Sequence, residues 1–134
     1  MKFLKQSIAL VLLSCCLLVG CQSGSDDVSA PESMQGIEQA RIEDGVQVVN
    51  IKVSEAGYQP TRILLKEGVP ARLVFHRTVD AECAEQVQIP EFGIEKTDLP
   101  LNQDVAIEFT PRETGTFQFV CGMKMLKGTL VVKS

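Results

Sequence analysis

Phe117-Gln118-Phe119-Val120-Cys121-Gly122-Met123-Lys124-Met125, followed by the apolar run Thr129-Leu130-Val131-Val132, is the stretch from which the chain is best read. Successive side chains of a strand point to opposite faces, so Phe117, Phe119 and Cys121 share one. Two Phe rings mark that face as buried, and the Cys121 sulfur then points inward at the strand's end. Met123 and Met125 continue the phase, which predicts three sulfurs aimed the same way. Alternate residues of a straight strand lie about 6.6 Å apart, too spread for short bonds to one ion. Gly122 is expected to relieve this by taking up sharp backbone angles that other residues resist. A thiol and two thioethers on a curled loop make a soft-donor cluster, which suits Cu(I) better than hard cations.

The same period extends upstream. Val46–Val53 reads as a strand with Val49, Ile51 and Val53 inward, and Gly57-Tyr58-Gln59-Pro60 as a turn. Ile63–Lys66 is a second strand. Pro70–Thr78 is a third, in which Leu73 and Phe75 alternate with Arg72, Val74 and His76. Val79–Glu85 is a polar loop holding Cys83. Val87 and Ile89 form a short strand, and Phe92 and Ile94 fall in a loop running to Pro100. Val105, Ile107 and Phe109 alternate, and Thr116–Cys121 with Thr129–Lys133 forms the last hairpin. Short strands split by Gly and Pro, with no long helix and no internal repeat, predict an all-β sandwich or barrel over residues 46–134.

The opening of the chain has a different character. Lys2 and Lys5 precede an apolar run from Ile8 to Val19, too short for a membrane span of about 20 residues. Residues 1–20 therefore read as a secretory signal peptide. It ends Leu18-Val19-Gly20-Cys21, which resembles the bacterial lipobox and implies lipidation at Cys21. The alternative is an ordinary signal peptide in which Cys21 is another thiol. Cys15 and Cys16 would leave with the signal, so five cysteines reduce to Cys83 and Cys121 as free sulfurs. Residues 21–45 are rich in Ser, Gly, Asp, Glu and Gln and read as a flexible tether, with a helical turn expected over Gln39–Glu43. Met34 lies in this tether and has no evident role. Gln22 stands where an Asp signals inner-membrane retention in Gram-negative lipoproteins. That resemblance implies the outer membrane, in a host that has one, for an exported protein facing the periplasm or cell exterior.

At 134 residues and 45% hydrophobic, the composition is that of one globular domain with an apolar leader. The formal charge of −4 and a pI near 5.0 argue against a nucleic-acid partner. The chain holds one His, one Tyr and no Trp.

Val46–Val53, Gly57-Tyr58-Gln59-Pro60, Ile63, Lys66, Gly68, Phe75-His76-Arg77, Cys83, Gly115-Thr116-Phe117 and Cys121-Gly122-Met123 with Gly128 together resemble a bacterial cupredoxin-like domain. Such domains recur in periplasmic copper-handling proteins, in modules of copper-transporting ATPases and in iron-uptake lipoproteins. The Cys…Cys-Gly-Met-x-Met pattern is similar to membrane-anchored Cu(I)-chaperone cupredoxins. The resemblance implies a Greek-key β-sandwich of cupredoxin type. It also implies a copper ion held by Cys83, Cys121, Met123 and Met125, and a copper-transporting ATPase or other metal-transport protein as partner.

An electron-transfer cupredoxin uses two His, one Cys and a weak axial Met. A single His76, in the opposite phase to Phe75, cannot supply that set. In the resemblance Cys83 stands where a blue-copper protein has its first His, which tilts the site to Cu(I) and away from blue-copper chemistry. Zinc is poorly served by thioethers. Glu82 and Glu85 read as solvated charge, and Arg77 with Asp80 as a salt bridge buttressing the Cys83 loop. No catalytic constellation is present, so the expectation is a non-enzyme. A rival reading stays open: two cysteines in an exported protein commonly form a disulfide, which would stabilise a small domain by about 2–4 kcal/mol. That reading leaves a metal-free structural or interaction lipoprotein. An accessory module of another metal-uptake system is a further alternative.

Overall fold

The inward-facing sets of these strands meet across two sheets, and the computed structural model describes residues 36–134. The expected signal peptide, the lipid site at Cys21, Met34 and the tether as far as residue 35 lie outside the described residues. In chain order the strands are β1 (Glu38–Gln39), β2 (Arg41–Glu43), β3 (Val46–Ser54), β4 (Gly57–Gln59), β5 (Arg62–Lys66), β6 (Ala71–Arg77), β7 (Gln86–Ile89), β8 (Ile94–Asp98), β9 (Asp104–Phe109), β10 (Gly115–Cys121) and β11 (Lys127–Lys133). Two single 3-10 turns, Glu82–Ala84 and Pro90–Phe92, interrupt them. No α-helix occurs among the described residues.

One sheet runs β1-β5-β11-β10-β7-β8; the other runs β2-β3-β6-β9, with β4 also paired to β3. β3 lies parallel to β6, and β5 parallel to β11. Parallel neighbours cannot be joined by tight hairpins, so the chain crosses between sheets instead of meandering within one. This is the all-β sandwich expected from the alternation.

Burial follows the period of two. In β6, Ala71, Leu73, Phe75 and Arg77 are buried while Arg72, Val74 and His76 are half-exposed. Val49, Ile51 and Val53 of β3 face the same interior, as do Phe119, Leu130 and Val132 from the other sheet. At its centre the rings of Tyr58, Phe75 and Phe119 meet edge-on or tilted, with centroids 4.9–6.0 Å apart. Each such ring stabilises the fold by roughly 1.5–3 kcal/mol through burial alone. Gln47, also buried, has a full set of partners. Its amide donates to the carbonyls of Lys66 and Val69, and its oxygen accepts the Lys66 N–H at 2.6 Å. It pins the start of β3 to the turn between β5 and β6.

Three local expectations need correcting. Residues 39–43 form no helical turn, because β2 pairs with β3 through a hairpin whose Asp44 and Gly45 both have positive φ. Asp-Gly is the pair that such a two-residue turn favours. Described strand structure thus begins at Glu38. Gly57–Gln59 is a strand as well as a turn, since it folds back on Lys52–Ser54 and buries Tyr58. The loop from Phe92 to Pro100 contains β8, an edge strand carrying Glu95, Lys96 and Asp98. Charge on an edge discourages pairing with other chains, and it also hides the alternation.

Candidate metal centre

β10 ends at Cys121, whose register partner is Val87 of β7. The strand stops there because the chain turns: the Cys121 carbonyl accepts the Lys124 N–H at 2.9 Å, and Lys124 has a φ of +58°. The Cys121 N–H donates to the Leu126 carbonyl at 3.0 Å, which closes the loop onto β11. Inside this ring of bonds the Cys121 sulfur is fully buried, and it accepts the N–H groups of Met125 and Leu126, both at 3.2 Å. Two backbone donors therefore fix the position of one sulfur.

The loop does curl, but by a different device from the one expected. The positive φ belongs to Lys124, not Gly122. Gly122 lets the loop lie close to β7: a Cβ there would lie 2.8 Å from the Gln86 Oε1, the movable end of that side chain, and 3.3 Å from the Gln86 Cβ. Its N–H donates to the Gln86 carbonyl, holding the loop on β7. Met123 and Met125 do not continue the inward phase. They are 58% and 70% exposed, because strand geometry ends at Cys121. The loop thus presents two solvent-facing thioethers beside one buried thiol.

Cys83 comes from the loop after β6, in the 3-10 turn Glu82–Ala84, and is half-buried. The buried Ala84 anchors this turn, and the Leu99 N–H donates to the Glu85 carbonyl at 2.7 Å. Arg77 organises the same region, although not mainly through Asp80. Its side chain is buried; Nε donates to the Leu99 carbonyl at 2.6 Å and Nη1 to the Val79 carbonyl at 3.1 Å. Asp80, 3.7 Å away, is solvent-exposed and adds little. Cys83 and Cys121 are both free thiols, so the disulfide alternative is not the state of this structure.

One residue packed beneath the Cys121 strand is read from the sequence only as part of a turn. Tyr58 is buried, and its hydroxyl has no hydrogen-bond partner. Burial, then negative charge on Cys121 and on Cys83, pushes the phenol above its ordinary range, which keeps it protonated. The available signal was that this sole Tyr sits in the quoted Gly-Tyr-Gln-Pro, a large β-former in a supposed turn.

The harder donors do not converge. Among the described residues no three His, Cys, Asp or Glu side chains gather as a metal site. His76 is on the outer side of its sheet, 2.6 Å from the Asp104 carboxylate. A donor set of two thiols and two thioethers fits Cu(I), which accepts low coordination by sulfur.

A family model described as a cupredoxin-like domain matches residues 14–132. Among solved structures, the metal-binding domain of the Cu(I)-exporting P-type ATPase CopA of Streptococcus pneumoniae, determined with Cu(I), is 38% identical. It aligns over 73% of this chain and 96% of its own with a TM-score of 0.70. A copper binding protein solved by NMR in the apo form is also 38% identical, over 72% and 96% of the two chains, with a TM-score of 0.67. The copper protein rusticyanin, at 14% identity over 74% and 84% with a TM-score of 0.56, shares the fold. No curated protein matches the sequence. With two stacked β-sheets and a family match over most of its length, this chain belongs to the cupredoxin-like domain family.

Proposed function

We propose that this protein binds Cu(I) through Cys83 and Cys121, with Met123 and Met125 as outer thioether donors, and carries the ion to another metal-handling protein. The observation that carries this reading is the Cys121 loop. It holds one sulfur rigidly on two backbone donors and exposes two methionines at the surface. The similarity to a Cu(I)-bound ATPase domain and to a copper binding protein supports it.

Hand-over follows from donor strength. The neutral thioethers of Met123 and Met125 bind Cu(I) weakly and exchange readily, so they serve as entry and exit ligands. The cysteines lose their protons on binding and hold the ion as thiolates. Copper is cargo here, and the protein is not an enzyme. Lipidation at Cys21 would keep the carrier at the membrane of an exported compartment, within reach of a copper-transporting ATPase or another metal transporter.

Mass determination of the reduced mature protein with and without Cu(I), then competition with a calibrated Cu(I) chelator, tests the reading. Cys83→Ala or Cys121→Ala should abolish tight binding, and Met123→Ala or Met125→Ala should weaken it less while slowing transfer. Methionine variants identical to wild type in affinity, stoichiometry and transfer rate would remove the thioethers from the mechanism.

A further inference from the structure

Tyr58 presents a problem that packing does not answer. Its ring is well placed against Phe75 and Phe119, and a phenylalanine would fill that role equally. Its hydroxyl is the one buried side-chain oxygen or nitrogen among the described residues left without a partner. A buried hydroxyl without a bond costs about 1–3 kcal/mol, and folded proteins satisfy most such groups. The chain therefore keeps a polar atom where an apolar one would be more stable.

Its surroundings indicate what would satisfy it. Phe119, whose ring centroid is 4.9 Å from that of Tyr58, lies two residues before Cys121 on the same buried face. A side chain at Gly57, next to Tyr58, would meet Leu126, whose N–H binds the Cys121 sulfur. A neutral thiol is a weak acceptor, whereas a thiolate is an anion and accepts hydrogen bonds strongly.

We propose that Tyr58 is a positioning residue of the copper site, its hydroxyl donating a hydrogen bond to a sulfur of the Cys83–Cys121 pair when that pair holds Cu(I). The inference rests on the copper reading above. It makes the apo state carry an unsatisfied hydroxyl that the loaded state satisfies, so one oxygen atom has opposite effects on the two states. Tyr58 would strengthen metal binding and weaken the empty fold.

Tyr58→Phe separates these effects in the full mature protein, reduced and titrated with Cu(I) against a chelator. The apo variant should melt at the wild-type temperature or above it, and its Cu(I) affinity should fall roughly ten- to hundredfold. A second readout needs no variant. The chain has one Tyr and no Trp, so tyrosine emission reports on Tyr58 alone. Loading wild type with Cu(I) should shift that emission to longer wavelength, as a stronger hydrogen bond forms. Unchanged affinity in Tyr58→Phe, parallel loss of apo stability and affinity, or an unshifted emission would overturn the inference alone. A wild-type protein that binds no Cu(I) would overturn the copper reading and this inference with it.

Discussion

Gly128→Ala is the smallest change that tests how the sandwich is packed beneath the metal loop. Gly128 lies directly opposite Phe119 in the β10–β11 ladder, and it has no positive φ to require glycine. What requires it is the ring. A Cβ at this position would fall 1.9 Å from the Phe119 Cζ and 2.4 Å from each of Cε1 and Cε2. Carbon atoms pack at about 3.5–4.0 Å, so the ring would have to retreat by roughly 1.5 Å. Tyr58 and Phe75 occupy the space behind it, and all three rings are buried. Overpacking of this kind costs typically 1–3 kcal/mol, and the caged ring puts this case at about 3 kcal/mol. In a domain of about 100 residues that is a fall in Tm on the order of 15 °C. Calorimetry of Gly128→Ala, Phe119→Leu and the double variant supplies the assay. The smaller Leu makes room for the new methyl, so the double variant should be more stable than the sum of single effects by about 1–2 kcal/mol. Phe119 shares its face with Cys121, so thiol alkylation should also quicken in Gly128→Ala. A Tm within a few degrees of wild type, with no coupling in the cycle, would refute the seating of Phe119 on Gly128.

Other expectations follow from the same structure. Arg77→Met should cost about 2–4 kcal/mol, because the buried Leu99 carbonyl and the partly buried Val79 carbonyl lose their donor. Asp80→Asn should stay within about 0.5 kcal/mol, and denaturant melts giving equal losses for the two would return the weight to the ion pair. Raising the pH past the ordinary tyrosine range should destabilise the fold. Burial and the two cysteine charges raise the folded phenol's pKa, so the unfolded chain loses that proton first and the native advantage shrinks from about pH 10 upward. Phenolate appearing at its ordinary pH in a still-folded protein would contradict this. Adding Cu(II) to the monomer should give no intense blue absorption, because His76 is bonded to Asp104 on the outer side of its sheet. A stable blue species would restore an electron-transfer role. Cys21→Ala should leave the precursor unprocessed and free of lipid, and a wild-type mature chain starting elsewhere would end the lipoprotein proposal.

What the sequence by itself determined were the properties that depend on residue type and short-range period. Alternation in Val46–Val53, Ala71–Arg77 and Phe117–Cys121 located the central strands and their buried faces, because a strand repeats every two residues whatever it packs against. The sulfur donors were equally legible, since one His and two late cysteines limit any metal chemistry before folding is considered. Tertiary structure decided the rest. The edge strands β1, β2 and β8 carry mostly exposed residues, so neighbours placed them where hydrophobic pattern did not. Met123 and Met125 kept the right spacing for an inward face, yet the turn at Lys124 put them in solvent. Gly128 was needed for its contact with Phe119, not for a backbone angle of its own. Tyr58 comes to Phe119, 61 positions further along, only because β4 folds back on β3. Contacts of that range are set by how sheets stack, and no local pattern in the chain encodes them.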